Sequence, residues 1–207
     1  MVGTLPQVTT SLTTVPLPRR PLDPGDQVRR WYENELGWPT VPARPGSPIG
    51  TPVRLLVGPR FDVLDVPAEA GRAALRHLAP GSPVALQGDR MRLLVSAGSA
   101  EELPGVLDWL EWGALPLDLT VIGEGGLMDA PPPPEAAWAG APQGAAVWLR
   151  PPEPGCEVEA SLPTLSAMGS CGGGGGAPDL VRVVDTVATQ CHRLWLRRAC
   201  AQPLAGS

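Results

Sequence analysis

Apolar positions first repeat at helical spacing between Asp26 and Gly37, where Val28, Trp31, Tyr32 and Leu36 share one stripe. Asp26 can cap the first-turn amides, and Gly37 is a stop signal. Trp38 to Val41 reads as a short extended piece, followed by the turn-rich segment 44–50. Val53 to Val57 and Phe61 to Val66 are apolar and Val-rich, as strands are, the second interrupted only by Asp62 and Asp65. Pro67 to Leu78 predicts a helix with proline in its first turn, where the missing N–H does no harm. Pro83 to Gln87 and Met91 to Ala97 predict a hairpin across Gly88-Asp89. Ser99-Ala100-Glu101-Glu102 has the form of a capping box and opens a helix through Trp112, carrying Leu103, Val106, Leu107 and Leu110 at helical spacing. Pro104-Gly105 weakens its first turns.

Leu117 to Ile122 predicts a further strand, with Gly126 to Ala130 pairing to it across Gly123-Glu124-Gly125, and Ala145 to Leu149 one more. Asp179 then caps a last helix whose stripe is Leu180, Val184, Val187, Cys191 and Leu194. The order helix, strand, strand, helix, hairpin, helix, strands predicts an α/β or α+β domain rather than a long βαβ series.

Composition changes the boundaries more than the elements. Among 207 residues, 27 are Pro and 25 are Gly, a level that signals low-complexity segments. Residues 1–22 are expected to be a disordered Pro/Thr-rich lead-in, 23–150 the domain, 151–178 a Pro/Gly-rich linker, and 179–201 an amphipathic C-terminal helix. All 16 basic residues are Arg, and the net charge of −5 argues against wholesale coating of nucleic acid while leaving local basic patches open. No apolar run approaches the ~18–20 residues that span a bilayer, and no signal peptide is evident. The expectation is a cytoplasmic protein with reduced thiols. Cys156, Cys171, Cys191 and His192 have none of the usual zinc-ligand spacings.

Trp31-Tyr32, Gly37-Trp38-Pro39-Thr40-Val41-Pro42, a Pro/Gly turn and Leu64-Asp65-Val66 occur in that order. Leu117-Asp118-Leu119-Thr120, Gly123, Gly125, Gly126 and Ala130-Pro131-Pro132 follow. Over residues 26–133 this ordered set resembles the N-terminal domain of bifunctional DNA primase/polymerases, the prim-pol proteins of the archaeo-eukaryotic primase superfamily. The resemblance implies a palm with an RRM-like core. It also implies carboxylates holding Mg²⁺ or Mn²⁺, which activate a 3′-oxygen and neutralise the leaving pyrophosphate.

The family's first metal motif is an acidic–apolar–acidic triplet on one strand face, since residues two apart point the same way. Here it reads Asp65-Val66-Pro67, so only its first ligand matches; Asp118 matches the third acidic residue. Asp62 is three residues from Asp65 and on a regular strand faces the other way, unless a bulge re-aims it. Asp65 can equally be a turn or cap carboxylate before the Pro67 helix. The family's phosphate-side His is missing from Met91 to Ser99, and His77 and His192 lie elsewhere.

These departures point to a catalytically degenerate prim-pol-like domain that binds nucleotide, single-stranded DNA or a replication-related protein. Two alternatives stand beside it. One is an active metal-dependent nucleotidyltransferase using Asp65, Asp118 and Asp62. The other is an adaptor whose C-terminal helix docks a protein partner. Arg193, Arg197 and Arg198 form a candidate nucleic-acid or partner-binding cluster, or a solvated helix end favoured by the helix dipole. Of the seven Trp, an exposed pair could stack on bases.

Overall fold

The computed structural model describes residues 24–42, 46, 51–134, 144–165 and 178–201. The N-terminal tail, most of the 44–50 turn, Cys171 and the Gly172 to Gly176 run lie outside them. The chain is mixed α/β, with two antiparallel sheets and four α-helices among the described residues. Helix α1 (Pro24–Arg30) continues through a wide turn, Trp31–Glu35, and stops where Gly37 takes φ +65°. Strands β1 (Thr40–Val41) and β2 (Arg54–Leu56) follow, then β3 (Phe61–Pro67), helix α2 (Ala68–Ala74), β4 (Val84–Gln87) and β5 (Arg90–Ser96). Helix α3 (Ser99–Trp109), β6 (Thr120–Ile122), β7 (Leu127–Asp129), β8 (Val147–Arg150) and helix α4 (Leu180–Ala201) complete it.

The large sheet has the order β6-β3-β5-β4-β8, with every neighbour antiparallel. Within it, β3-α2-β4-β5-α3-β6 is a split βαβ unit in which β5 lies between β3 and β4, and β3 between β5 and β6. The expected hairpin forms, with Gln87 opposite Arg90 and Gly88 at φ +59°. The expected pairing of Gly126 to Ala130 with the preceding strand does not. Instead β7 leaves the large sheet and pairs with β2, Leu55 opposite Met128, in a small sheet of order β1-β2-β7. A turn of three residues suits a hairpin, but Leu55 and Met128 are buried only if β7 crosses to the second layer.

Two cores result, one on each face of the large sheet. On one face Leu64, Val66, Met91, Leu93 and Val95 pack beneath α2, α3 and α4. Gly71 brings α2 down onto β5, since a Cβ there would collide with the Met91 side chain. The opposite face is aromatic: Trp38 sits between Tyr32 and Phe61, with ring centroids at 6.0 and 4.6 Å. The Tyr32 hydroxyl donates to the Pro131 carbonyl at 2.6 Å and accepts the Trp148 indole N–H at 3.0 Å, so its buried polar tip is satisfied.

One segment read by composition as loose is packed over its described part. Residues 151–165 share the composition of a linker, yet Val158 and Leu162, four residues apart on a short 3₁₀ turn, are buried in the aromatic core. The α4 stripe is buried too. Leu180, Val184, Val187 and Cys191 belong to the helix-side core and Leu194 packs against it, so the face considered for partner docking is covered by the chain itself. Asp179 does cap α4, accepting the Val181 N–H at 2.9 Å.

Candidate functional site

Asp65 and Asp118 come together at the end of the large sheet where β3 finishes and β5 begins. Asp65 stands opposite Arg92 on β5 and opposite Thr120 on β6, while Arg90 stands opposite Pro67. Directly opposed residues share a face, and residues two apart share it again, so Asp65, Arg90 and Arg92 converge by register alone. Arg90 donates from Nε to Asp65 Oδ1 at 2.6 Å, from Nη1 to Asp118 Oδ1 at 2.6 Å, and from Nη2 to the Asp65 carbonyl at 2.8 Å. Arg92 Nε donates to the other Asp65 oxygen at 3.1 Å. Arg198 on α4 approaches Asp118 Oδ2 at 3.6 Å.

Such a planar fork holds carboxylates in fixed directions, which Lys could not do. Burial alone would lower the Arg90 pKa, but the hydrogen bonds and charges of Asp65 and Asp118 outweigh it and raise it. The cluster therefore carries a permanent cation. The Cys191 thiol donates to the Asp118 carbonyl at 3.5 Å, and burial followed by the Asp118 charge pushes its pKa up to about 11, so it stays protonated at neutral pH.

A divalent ion does not fit this arrangement. Both candidate carboxylates are already engaged by one guanidinium, and among the described residues no group of three His, Cys, Asp or Glu could hold a metal. Nor does Asp65 cap α2; the Ala68 N–H goes to the Asp89 carbonyl at 2.7 Å. Pro67 ends β3 as the residue before α2 rather than sitting in its first turn.

Asp62 is not brought to this site. It lies on the helix-side face with Leu64 and Val66, and only 1% of it is exposed. Its Oδ2 accepts the Ala100 N–H at 2.9 Å, so it caps α3 from a neighbouring strand. The expected Ser99 capping box is replaced by this contact: Gly98 is the N-cap residue, with no side-chain cap bond, and Ser99 Oγ is buried without a partner among the described residues. Burial raises the Asp62 pKa, opposed by hydrogen bonds from the Ala100 and Gly98 amides and reinforced by the charges of Glu101 and Glu124.

The Arg193, Arg197 and Arg198 cluster divides. Arg198 joins Asp118, Arg197 pairs with Glu69 on α2 at 2.7 Å, and Arg193 is exposed without an ion-pair partner among the described residues. His77 lies on the 3₁₀ turn Leu75–His77 that follows α2, beside Arg76; burial and then the Arg76 charge lower its pKa.

Sequence reasoning overlooked Arg90 and Arg92, the residues that decide this site. Their signal was present as Arg-x-Arg at the start of a hairpin strand, whose register sets both beside Asp65. The polar face extends to Gln87, whose Nε2 donates to Asp129 on β7 at 3.0 Å and ties the two sheets together. Compared with family models, curated proteins and solved structures, the chain matches none. Among the described residues no helix is long and apolar enough to cross a membrane.

Proposed function

We propose that this chain is a prim-pol-like domain whose palm has lost nucleotidyl transfer and serves by binding, with nucleotide, nucleic acid or a replication-related protein as its ligand. One observation carries the proposal: the Arg90 guanidinium lies between Asp65 and Asp118, 2.6 Å from an oxygen of each. The family resemblance implies cations between those two carboxylates and a third at position 67. Here position 67 is Pro, and the residue opposite it on the ladder is Arg90. A guanidinium neutralises the two carboxylates but has no open coordination position, so it cannot activate a 3′-oxygen or bridge a leaving pyrophosphate. The split βαβ order with Asp65 on the face away from its helices is what an RRM-like palm requires, which supports the family assignment.

The test is nucleotide incorporation on primed and unprimed single-stranded template with Mg²⁺ or Mn²⁺. Folded protein is expected to incorporate nothing. Incorporation that Asp65→Ala abolishes would overturn the proposal and favour an active nucleotidyltransferase. Docking of a protein through Val187 and Leu194 loses its support, because the chain's own core covers that stripe.

A further inference from the structure

Helix α4 has two halves of different character. From Leu180 to Cys191 one side is buried against the sheet and α2, whereas from Trp195 to Cys200 every residue is exposed. No acidic residue follows Asp185, while Arg193, Arg197 and Arg198 all do, in a chain of net charge −5. Charge is thus segregated onto the end of this one helix.

An aromatic ladder lies along the same end. The ring of Trp112, just beyond α3, is 6.0 Å from that of His192, and His192 is stacked on Trp195 with centroids 5.8 Å apart and planes 16° apart. The Trp112 indole N–H is anchored on Asp185 at 3.0 Å. Trp195, the outermost member, is 46% exposed, and Leu196 beside it is 43% exposed. At about 100° per residue, His192, Trp195 and Leu196 form one strip, with Arg193 and Arg197 along one side and Arg198 along the other. A stacking surface bordered by guanidinium groups is the arrangement that binds an unpaired strand, bases on the indole and phosphates on the arginines. The ion pairs of Arg197 and Arg198 are exposed, and pairs of that kind are worth about 0–1 kcal/mol, so phosphate can replace carboxylate at little cost.

We propose that single-stranded DNA binds along this α3–α4 ridge, stacking on Trp195 and contacting Arg193 and Arg197 through phosphate. The site rests on the palm assignment above for its choice of DNA, yet lies outside residues 26–133, which carry the resemblance. Arg198 touches Asp118, which Arg90 also holds, so a strand on the ridge leads toward the palm end of the sheet.

The experiment is fluorescence anisotropy of a labelled mixed-sequence 20-mer with the full chain at 50 mM salt, repeated at rising salt. Duplex DNA and RNA of the same sequence serve as competitors. Trp195→Ala is expected to weaken binding about ten-fold or more, the loss seen when a stacking aromatic is removed. Arg193→Ala and Arg197→Ala are each expected to lower the slope of log K against log salt by about 0.7, the value for one single-strand phosphate contact. Sedimentation and the thermal midpoint of each variant verify that it remains folded and unchanged in mass.

Four outcomes would overturn the inference, the first three in the DNA titrations. Those three are absence of DNA binding, affinity indifferent to Trp195 and both arginines, or competition by duplex or RNA equal to that of single-stranded DNA. A change of mass in Trp195→Ala with DNA affinity intact would also overturn it and make the ridge an interface between copies. Failure of the palm assignment reads differently, as metal-dependent incorporation.

Discussion

Asp62 and Asp65 lie three residues apart on the same strand and meet opposite fates. Asp62 faces the helices, where it is desolvated, accepts the Ala100 N–H and leaves Oδ1 buried without a partner among the described residues. Asp65 faces the other way, where the Nε atoms of Arg90 and Arg92 saturate its two oxygens. A carboxylate is therefore not a site by virtue of its residue type or its place at a strand end. Its partners come from the neighbouring strands, and the strand's two-residue period decides which neighbours it sees. On the helix side the partners are backbone amides and the role is structural. On the other side they are guanidinium groups, and the carboxylate becomes part of a fixed ion cluster.

The comparison can be tested most severely on the helix side. Val187 on α4 is completely buried in the core that also holds Leu64 and Val66. Val187→Asp is expected to cost about 4 kcal/mol or more, since it buries an unpaired charge. Urea unfolding measures this, and a loss under about 1 kcal/mol would mean that α4 is an appendage rather than part of the core.

On the other side, Arg90→Ala removes three charge-assisted donors and leaves Asp118 with Arg198 as its one ion-pair partner among the described residues. The expected loss is about 2 kcal/mol. Millimolar Mn²⁺ should then raise the thermal midpoint of the variant and not of the parent, because only the variant leaves two carboxylates without their shared cation. Equal response in both would refute the substitution of guanidinium for metal.

Asp62 gives a smaller effect with a defined sign. Its folded pKa is raised above the unfolded value of about 3.9, so between those two values the folded state holds the proton more tightly. Stability contributed by Asp62 is therefore gained as pH falls through that window and lost as pH rises through it. Asp62→Asn should abolish this slope while retaining an acceptor for Ala100, and Asp62→Ala should cost about 1 kcal/mol through the lost cap. Unfolding free energies from pH 4 to 7 decide it; a slope unchanged in Asp62→Asn assigns the titration to another group. The smallest effect is expected at Trp109, which is 68% exposed. Trp109→Ala should leave stability within about 0.5 kcal/mol, read from the same unfolding curves.

Several elements were legible because their determinants are local. The β4–β5 hairpin follows from Gly88-Asp89 between apolar runs, α4 from its stripe and Asp179, and α1 from Trp31, Tyr32 and the Gly37 stop. The pairing of β7 was not legible. Its turn is compatible with a hairpin, and only the need to bury Met128 against Leu55 sends it to the other sheet. The α3 cap was misread for a similar reason: the helix starts at Ser99 itself, with Gly98 as its N-cap residue, and the Ala100 N–H goes to Asp62, 38 residues earlier in the sequence. Residues 151–165 were hidden by their Pro and Gly content, which outweighs the single apolar pair Val158 and Leu162 that anchors them.

The sequence by itself determined which residues could carry charge, the type and order of most strands and helices, and that position 67 offers no carboxylate. It also determined that α4 ends in arginines with no acid among them, because composition and short-range periodicity are properties of the chain alone. Only the tertiary structure decided that Asp65 and Asp118 meet, that Arg90 stands between them, and that Asp62 is a cap. Those relations depend on register between strands distant in sequence, and register is fixed by burying both faces of the sheet at once, which no local pattern encodes.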